Sequence, residues 1–242
     1  MSPLQLALPF DPAPRFDATD FIAAPSNAAA RTWLGRVAAW PLRRLALWGP
    51  AGCGKTHLLH IWAQANGAER LRGGDLAGDM LPEVPAWPRA IDDADAAPEL
   101  VLLRLLNTAD EAGQYVLLAA RTPPARWAVR LPDLASRLRA ITAAEVGAAE
   151  DALLRMLLQR LLVDRQMAVA EPVQEFLLQR LPRTPAALRR LAARLDRASL
   201  ARGGKVTWPV VRAALAEFDL LQSDDIPGEP DGLASSIAGD CV

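Results

Sequence analysis

The chain has 242 residues, a formal net charge of −1 and apolar side chains at 51% of positions, enough for one large domain or two modest ones with a shared core. So small a net charge excludes a global field that would draw the protein to nucleic acid or to an anionic membrane. Cys53 and Cys241 are the only cysteines and His57 and His60 the only histidines, so neither a disulfide framework nor a zinc site is expected. Met1–Phe10 lacks the pattern of a signal peptide, and no apolar run reaches the ~18–20 residues of a membrane span. The reading is a cytoplasmic protein with no membrane partner.

Residues 1–15, rich in proline, read as a flexible arm. A helical pattern covers 26–39, with Ser26 or Asn27 as N-cap. Arg44–Trp48 is a short buried strand that runs into a glycine-rich turn and then a helix over 55–66, ended by Gly67. A strand is expected at 69–72 and loop at 73–88. A poor strand follows at 90–92, since Pro85 and Pro88 precede it. A helix covers 97–112, the strongest strand 114–120, and another helix 132–139. From Gly147 the pattern becomes wholly helical, with helices near 148–166, 171–181 and 185–202. A strand-like turn at 205–208 leads to a last helix near 209–220, and a tail from Gln222 has no periodicity. Strands that alternate with helices, followed by helices alone, predict an α/β domain with a parallel sheet over 16–146 and a small all-α lid domain over 147–221. The arm (1–15) and a disordered tail (222–242) flank them. The seven tryptophans do not interleave with a basic run, so packing is expected of them rather than base stacking.

Gly49-Pro50-Ala51-Gly52-Cys53-Gly54-Lys55-Thr56 fits the phosphate-loop pattern G-x-x-x-x-G-K-[ST] in full, between a strand and a helix. Glycines allow the backbone to wrap a phosphate with its N–H groups inward, and the helix adds its positive end. Lys55 then reaches the β- and γ-phosphates, and the Thr56 hydroxyl is placed to ligate Mg²⁺. The chain is therefore expected to bind a purine nucleotide, ADP or ATP. Cys53 at the helix start is read as a packing residue rather than a reactive thiol. Downstream, Ala90-Ile91-Asp92-Asp93 supplies the acidic element: Asp92 for Mg²⁺ and Asp93 as base or water-orienting group. Where ATPases of this type often place glutamate, aspartate is one methylene shorter, which predicts slow intrinsic hydrolysis.

A phosphate loop, a late acidic pair and a helical lid together resemble an AAA+ ATPase. Phe16–Ile22 with Pro25-Ser26-Asn27 resembles the stretch that wraps adenine in the replication initiator family DnaA, which implies Phe21, Ile22 and Asn27 at the base. Trp48–His60 is similar to that family's loop and helix, which adds His57 to the nucleotide site. Leu131-Pro132-Asp133-Leu134-Ala135-Ser136-Arg137-Leu138 and Leu195-Asp196-Arg197-Ala198-Ser199 resemble the short relatives of DnaA, the regulatory inactivators of the Hda family. The similarity spans roughly residues 5–218. It implies that Arg137 is an arginine finger acting in trans on ATP-bound DnaA.

Gln5-Leu6-Ala7-Leu8-Pro9-Phe10 resembles the hexapeptide with which bacterial proteins bind the DNA polymerase III sliding clamp. Gln5, Leu6, Leu8, Pro9 and Phe10 are assigned to that contact, since an extended arm can lay Leu8 and Phe10 into an apolar groove while Gln5 sets register. No DNA-binding domain like the initiator's is expected after the lid. After the fourth strand the family has a polar or acidic sensor; here Ala120, Arg121 and Thr122 stand there, and Arg121 is carried forward as a phosphate sensor. Of the lid arginines Arg183, Arg189 and Arg190, Arg189 is carried forward for the phosphates. The expected function is a negative regulator of replication initiation that docks on the clamp and stimulates ATP hydrolysis by DnaA. An autonomous ATPase or helicase loader, a plain interaction module and a homodimer stay open.

Overall fold

The computed structural model describes residues 16–76, 87–200, 206–216 and 218. The readings of the clamp-binding arm and of the tail lie outside the described residues. Contacts divide the chain into two compact units between Leu154 and Arg155.

The first unit is built on five parallel strands: β1 (Arg44–Trp48), β2 (Glu69–Arg72), β3 (Arg89–Asp92), β4 (Val116–Ala120) and β5 (Thr142–Glu145). They lie in the order β2-β3-β4-β1-β5. The period of two along each strand sorts the side chains onto two faces. Leu45, Leu47, Leu117, Ala119 and Ala144 join one core with α1 (Ala28–Leu34) and α2 (Lys55–Asn66). Ala46, Ile91, Val116 and Leu118 join the other with α3 (Glu99–Glu111) and α4 (Pro132–Ala140). With both faces covered, β4 is apolar along its whole length and β1 from Leu45 onward, the mark of a buried parallel strand.

β3 is a full central strand, not a poor one. Pro88 stands just outside it, where the missing N–H is not needed and its carbonyl still accepts from the Glu69 N–H at 2.8 Å. The Arg89 N–H donates to the Tyr115 carbonyl at 2.9 Å, and the buried Arg89 guanidinium pairs with Glu69 at 3.1 Å. The helix expected over 26–39 is much shorter, ending at Leu34. The chain turns back there because Trp40 seeks the core: its indole stacks on Trp62 at 5.2 Å and its Nε1–H donates to the Trp33 carbonyl at 2.8 Å. β5 falls in a stretch given no element from sequence, since Thr-Ala-Ala-Glu carries no apolar alternation. Trp40 and Trp62 are core residues, whereas Trp87 is exposed.

The second unit holds most of α5 (Asp151–Val163) together with α6 (Glu171–Arg180), α7 (Pro185–Leu200) and α8 (Trp208–Ala216). Leu188, Leu191 and Leu195 recur at helical spacing on α7 and are buried, as are Val211 and Leu215 of α8. Thr184 caps α7, its hydroxyl accepting from the Ala187 N–H at 3.2 Å. Of the turn at 205–208, Trp208 opens α8 rather than a strand and meets Phe176 edge-on at 5.1 Å. Residue 205 lies outside the described residues.

Leu118 on β4 is fully buried in the second core. Leu118→Ala is expected to lower unfolding free energy by about 2–5 kcal/mol, the usual range for such cavities. Urea denaturation followed by circular dichroism measures it.

Candidate nucleotide-binding site

The loop between β1 and α2 has the backbone of a phosphate cradle. Gly52 and Gly54 lie at φ of 76° and 108°, conformations that favour glycine. Gly49 is fixed by contact as well: a Cβ there would stand 2.0 Å from the Val146 carbonyl oxygen. That carbonyl is held in place because the Val146 N–H donates to the Trp48 carbonyl at 2.7 Å. α2 opens at Lys55, so its free N–H groups and positive end face the loop.

Lys55 Nζ donates to the carbonyls of Gly49 and Pro50, both at 2.9 Å, and lies 3.7 Å from Cys53 Sγ. The ammonium therefore sits over the loop it is expected to serve. Thr56 Oγ1 donates to Asp92 Oδ2 at 2.8 Å, joining the hydroxyl and the carboxylate expected at Mg²⁺. The donor set fits the group: oxygens for a hard cation, a cation and backbone N–H groups for phosphate. Among the described residues no cluster of three or more His, Cys, Asp or Glu is arranged to hold a metal by itself.

Asp93 stands at the end of β3 in a left-handed conformation, φ 47°. Its N–H donates to Asp92 Oδ1 at 3.1 Å, and its carboxylate pairs with Arg72 at 3.3 Å. Asp93, Arg72, Asp75 and Arg121 line one open cavity of about 600 Å³ at the strand ends, so Arg121 is brought to the acidic element. Gly73 makes this approach possible, since a Cβ there would meet the Asp93 carbonyl oxygen at 2.1 Å. Neither Arg72 nor Gly73 carries a local motif that a sequence search would flag.

The segment before β1 lies over the start of α2. Phe21 Cε2 is 3.4 Å from the position a Gly54 Cβ would take. The His57 ring meets Phe21 edge-on at 5.2 Å, and His57 Nε2–H donates to the Asp17 carbonyl at 3.0 Å. Asn27 is buried; its Oδ1 accepts from the Ala24 N–H at 3.1 Å and its Nδ2 donates to the Ile22 carbonyl at 3.0 Å. It occupies the N-cap position of α1 without a side-chain cap bond. His57 and Asn27 thus shape the segment that carries Phe21 and Ile22. His60 packs against Phe16 at 4.1 Å and accepts from Arg70 at 2.5 Å; burial first, then the Arg70 charge, holds its pKa below the ordinary value.

Arg137 lies on α4, within reach of Asp110 and Asp133 at 3.4 Å each. The loop before α4 is pinned by Glu99, whose carboxylate accepts from the N–H groups of Arg130 at 3.0 Å and Leu131 at 2.9 Å. These two bonds, Arg130 first, hold the Glu99 pKa below the ordinary value. Arg189 is on α7 in the second unit.

This sheet order with a phosphate loop after β1 defines a P-loop AAA+ module. Residues 151–215 match the family model described as "Hda, lid domain". Domain III of the Thermotoga maritima replication initiation protein DnaA is similar in fold, with TM-score 0.67 and 18% identity over 90% of this chain and 99% of that one. AMPPCP-bound DnaA from Aquifex aeolicus has TM-score 0.61 and 15% identity over 83% of this chain and 69% of that one. A Thermotoga maritima RuvB mutant has TM-score 0.63 and 19% identity over 82% and 71%. Residues 151–215 thus match an Hda-type lid, and the chain as a whole has a fold similar to that of the DnaA domain. No helix among the described residues is long and apolar enough to cross a membrane.

Two outcomes are expected at the site. Gly49→Ala places a methyl against the Val146 carbonyl and should abolish nucleotide binding in a fluorescent-nucleotide titration. Glu99 has a folded pKa below its unfolded one, so its contribution is present above the unfolded value and lost as pH falls through the folded one. Hydrogen exchange at the Arg130 and Leu131 amides should therefore lose protection below the ordinary glutamate range, and Glu99→Gln should show that loss already at neutral pH.

Proposed function

We propose that this protein is a nucleotide-set negative regulator of replication initiation, which docks on the DNA polymerase III sliding clamp and stimulates ATP hydrolysis by DnaA. The observation that carries the reading is the lid match at residues 151–215 on a chain with a complete phosphate loop. ADP or ATP would be held by residues 50–56, with Phe21 and Ile22 at the base and Arg121 and Arg189 toward the phosphates. Thr56 and Asp92 would hold Mg²⁺, which supplies charge neutralisation at the phosphates. AMPPCP in the similar DnaA structure supports a nucleotide here.

The chain's own hydrolysis is expected to be weak. Asp93 is short for a base, and its carboxylate is engaged by Arg72. Arg137 acts in trans instead, stabilising charge on the γ-phosphate held by DnaA. Gln5, Leu6, Leu8, Pro9 and Phe10 bring the protein to the clamp, and so to replicating DNA, without sequence-specific DNA contacts of its own.

Three variants test this. Lys55→Ala should abolish nucleotide binding by calorimetry while leaving the unfolding temperature of the nucleotide-free protein unchanged; a fall in that temperature alone would make the loop structural. Leu8→Ala with Phe10→Ala should lose capture by immobilised clamp, and wild type that fails to bind the clamp would remove that partner. Arg137→Ala should reduce stimulation of DnaA ATPase by about three orders of magnitude, as for arginine fingers elsewhere. Strong turnover by the isolated protein would favour an autonomous ATPase or loader.

A further inference from the structure

Arg44 is a buried arginine on β1, 2% exposed at its side chain. Its Nη2 donates to the Leu106 carbonyl at 2.9 Å and pairs with Asp110 Oδ2. A buried guanidinium without a carboxylate is strongly disfavoured, so Asp110 is tied to the end of α3 by the core beneath it. The same oxygen faces outward to Arg137, whose Nη1 lies 3.4 Å away. From the other side Asp133, one turn earlier on α4, forms an ion pair with Arg137 Nε at 3.4 Å without a hydrogen bond. Arg137 is consequently held between two carboxylates of its own subunit, with its side chain 33% exposed.

We propose that Asp110 and Asp133 are positioning residues which park Arg137 against its own subunit until a partner's triphosphate draws it away. The inference rests on the trans role given to Arg137 above. The physical case is a competition for one guanidinium. Parked, it satisfies two carboxylates that remain partly solvated, 43% and 62% exposed. Such pairs are weak and readily broken. A triphosphate in a closed site offers more negative charge and a bidentate acceptor, so it wins the arginine. The two carboxylates differ in what they are attached to. Asp110 is anchored through Arg44 and does not follow the arginine, whereas Asp133 rides on α4 with it. Asp110 therefore fixes where the parked side chain sits, and Asp133 keeps it extended along its own helix. The device keeps the arginine ordered in the free protein while leaving only a small barrier to its transfer.

The test uses the full-length protein and two independent readouts. Asp133→Asn is the main variant, since Asp133 has no contact with Arg44 and its loss leaves no buried charge. Asp110→Asn is the second, checked by thermal unfolding. In the isolated protein, exchange of the two Arg137 Nη positions by rotation about the Nε–Cζ bond, followed by NMR and identified by its loss in Arg137→Lys, should quicken about two- to fivefold in Asp133→Asn, the range expected for an exposed pair. With ATP-bound DnaA at subsaturating regulator, Asp133→Asn should raise hydrolysis by a similar factor, and the gain should vanish in Asp133→Asn with Arg137→Ala. Unchanged exchange in both variants overturns the parked state. Faster exchange with equal or lower stimulation overturns its role. If Arg137→Ala leaves stimulation intact, the trans role itself fails, while the exchange measurement still reports whether the arginine is held.

Discussion

The contact between Gly49 and the Val146 carbonyl is the constraint on which the site depends. The carbonyl stands where a side chain of residue 49 would begin, and it is fixed there by the ladder between β1 and β5, extended one step by the Val146 N–H to the Trp48 carbonyl. The loop is thus shaped by the edge strand as much as by its own glycines. A loop that wraps a phosphate must leave β1 at a sharp angle and enter α2 with its N–H groups free. Only a residue without Cβ passes the strand at that point.

All five strands are parallel, so their C-terminal ends meet at one edge. The charged groups that the first unit brings to the candidate site follow from this. Lys55 comes after β1, Arg72 ends β2, Asp92 and Asp93 end β3, and Arg121 follows β4. Ligands of open parallel sheets are expected at this edge. The order β3-β4-β1 places the end of β4 between those of β3 and β1, which is why Arg121, just after β4, lines a cavity beside Asp93.

Much of this was legible in the sequence, and the parts that were not share a cause. The phosphate loop, β1, β4, α2 and α3 carry strong local signals: a complete motif or long apolar periodicity. β5 has no local signal because Thr-Ala-Ala-Glu takes its role from pairing with β1, not from its own pattern. β3 has a weak local signal because prolines precede it, and only the pairing shows that Pro88 lies just outside the strand. The end of the first helix at Leu34 is not visible in the sequence, because the attraction of Trp40 for Trp62, across 22 residues, has no local sign. At the site, Thr56 and Asp92, both expected at Mg²⁺ from the sequence, are joined by a hydrogen bond, whereas the pairing of Asp93 with Arg72 and the closeness of Gly73 arise only when β2 lies beside β3.

The charged groups around Arg137 show why such pairings matter for function. An arginine proposed to act on a neighbouring molecule cannot be buried, and on a bare surface it would lose side-chain order that must be regained on docking. Placing it beside carboxylates solves both problems only if those carboxylates are themselves fixed. Asp110 meets that condition because the buried Arg44 requires it, and Arg44 in turn is held by the Leu106 carbonyl of α3. Glu99 does the same for the loop leading into α4, taking two backbone N–H groups that would otherwise be free. α3 thus anchors α4 at both its ends, by a carboxylate on its first turn and another near its last. The position of Arg137 follows from the core of the sheet through α3, rather than from the exposed loop that precedes it.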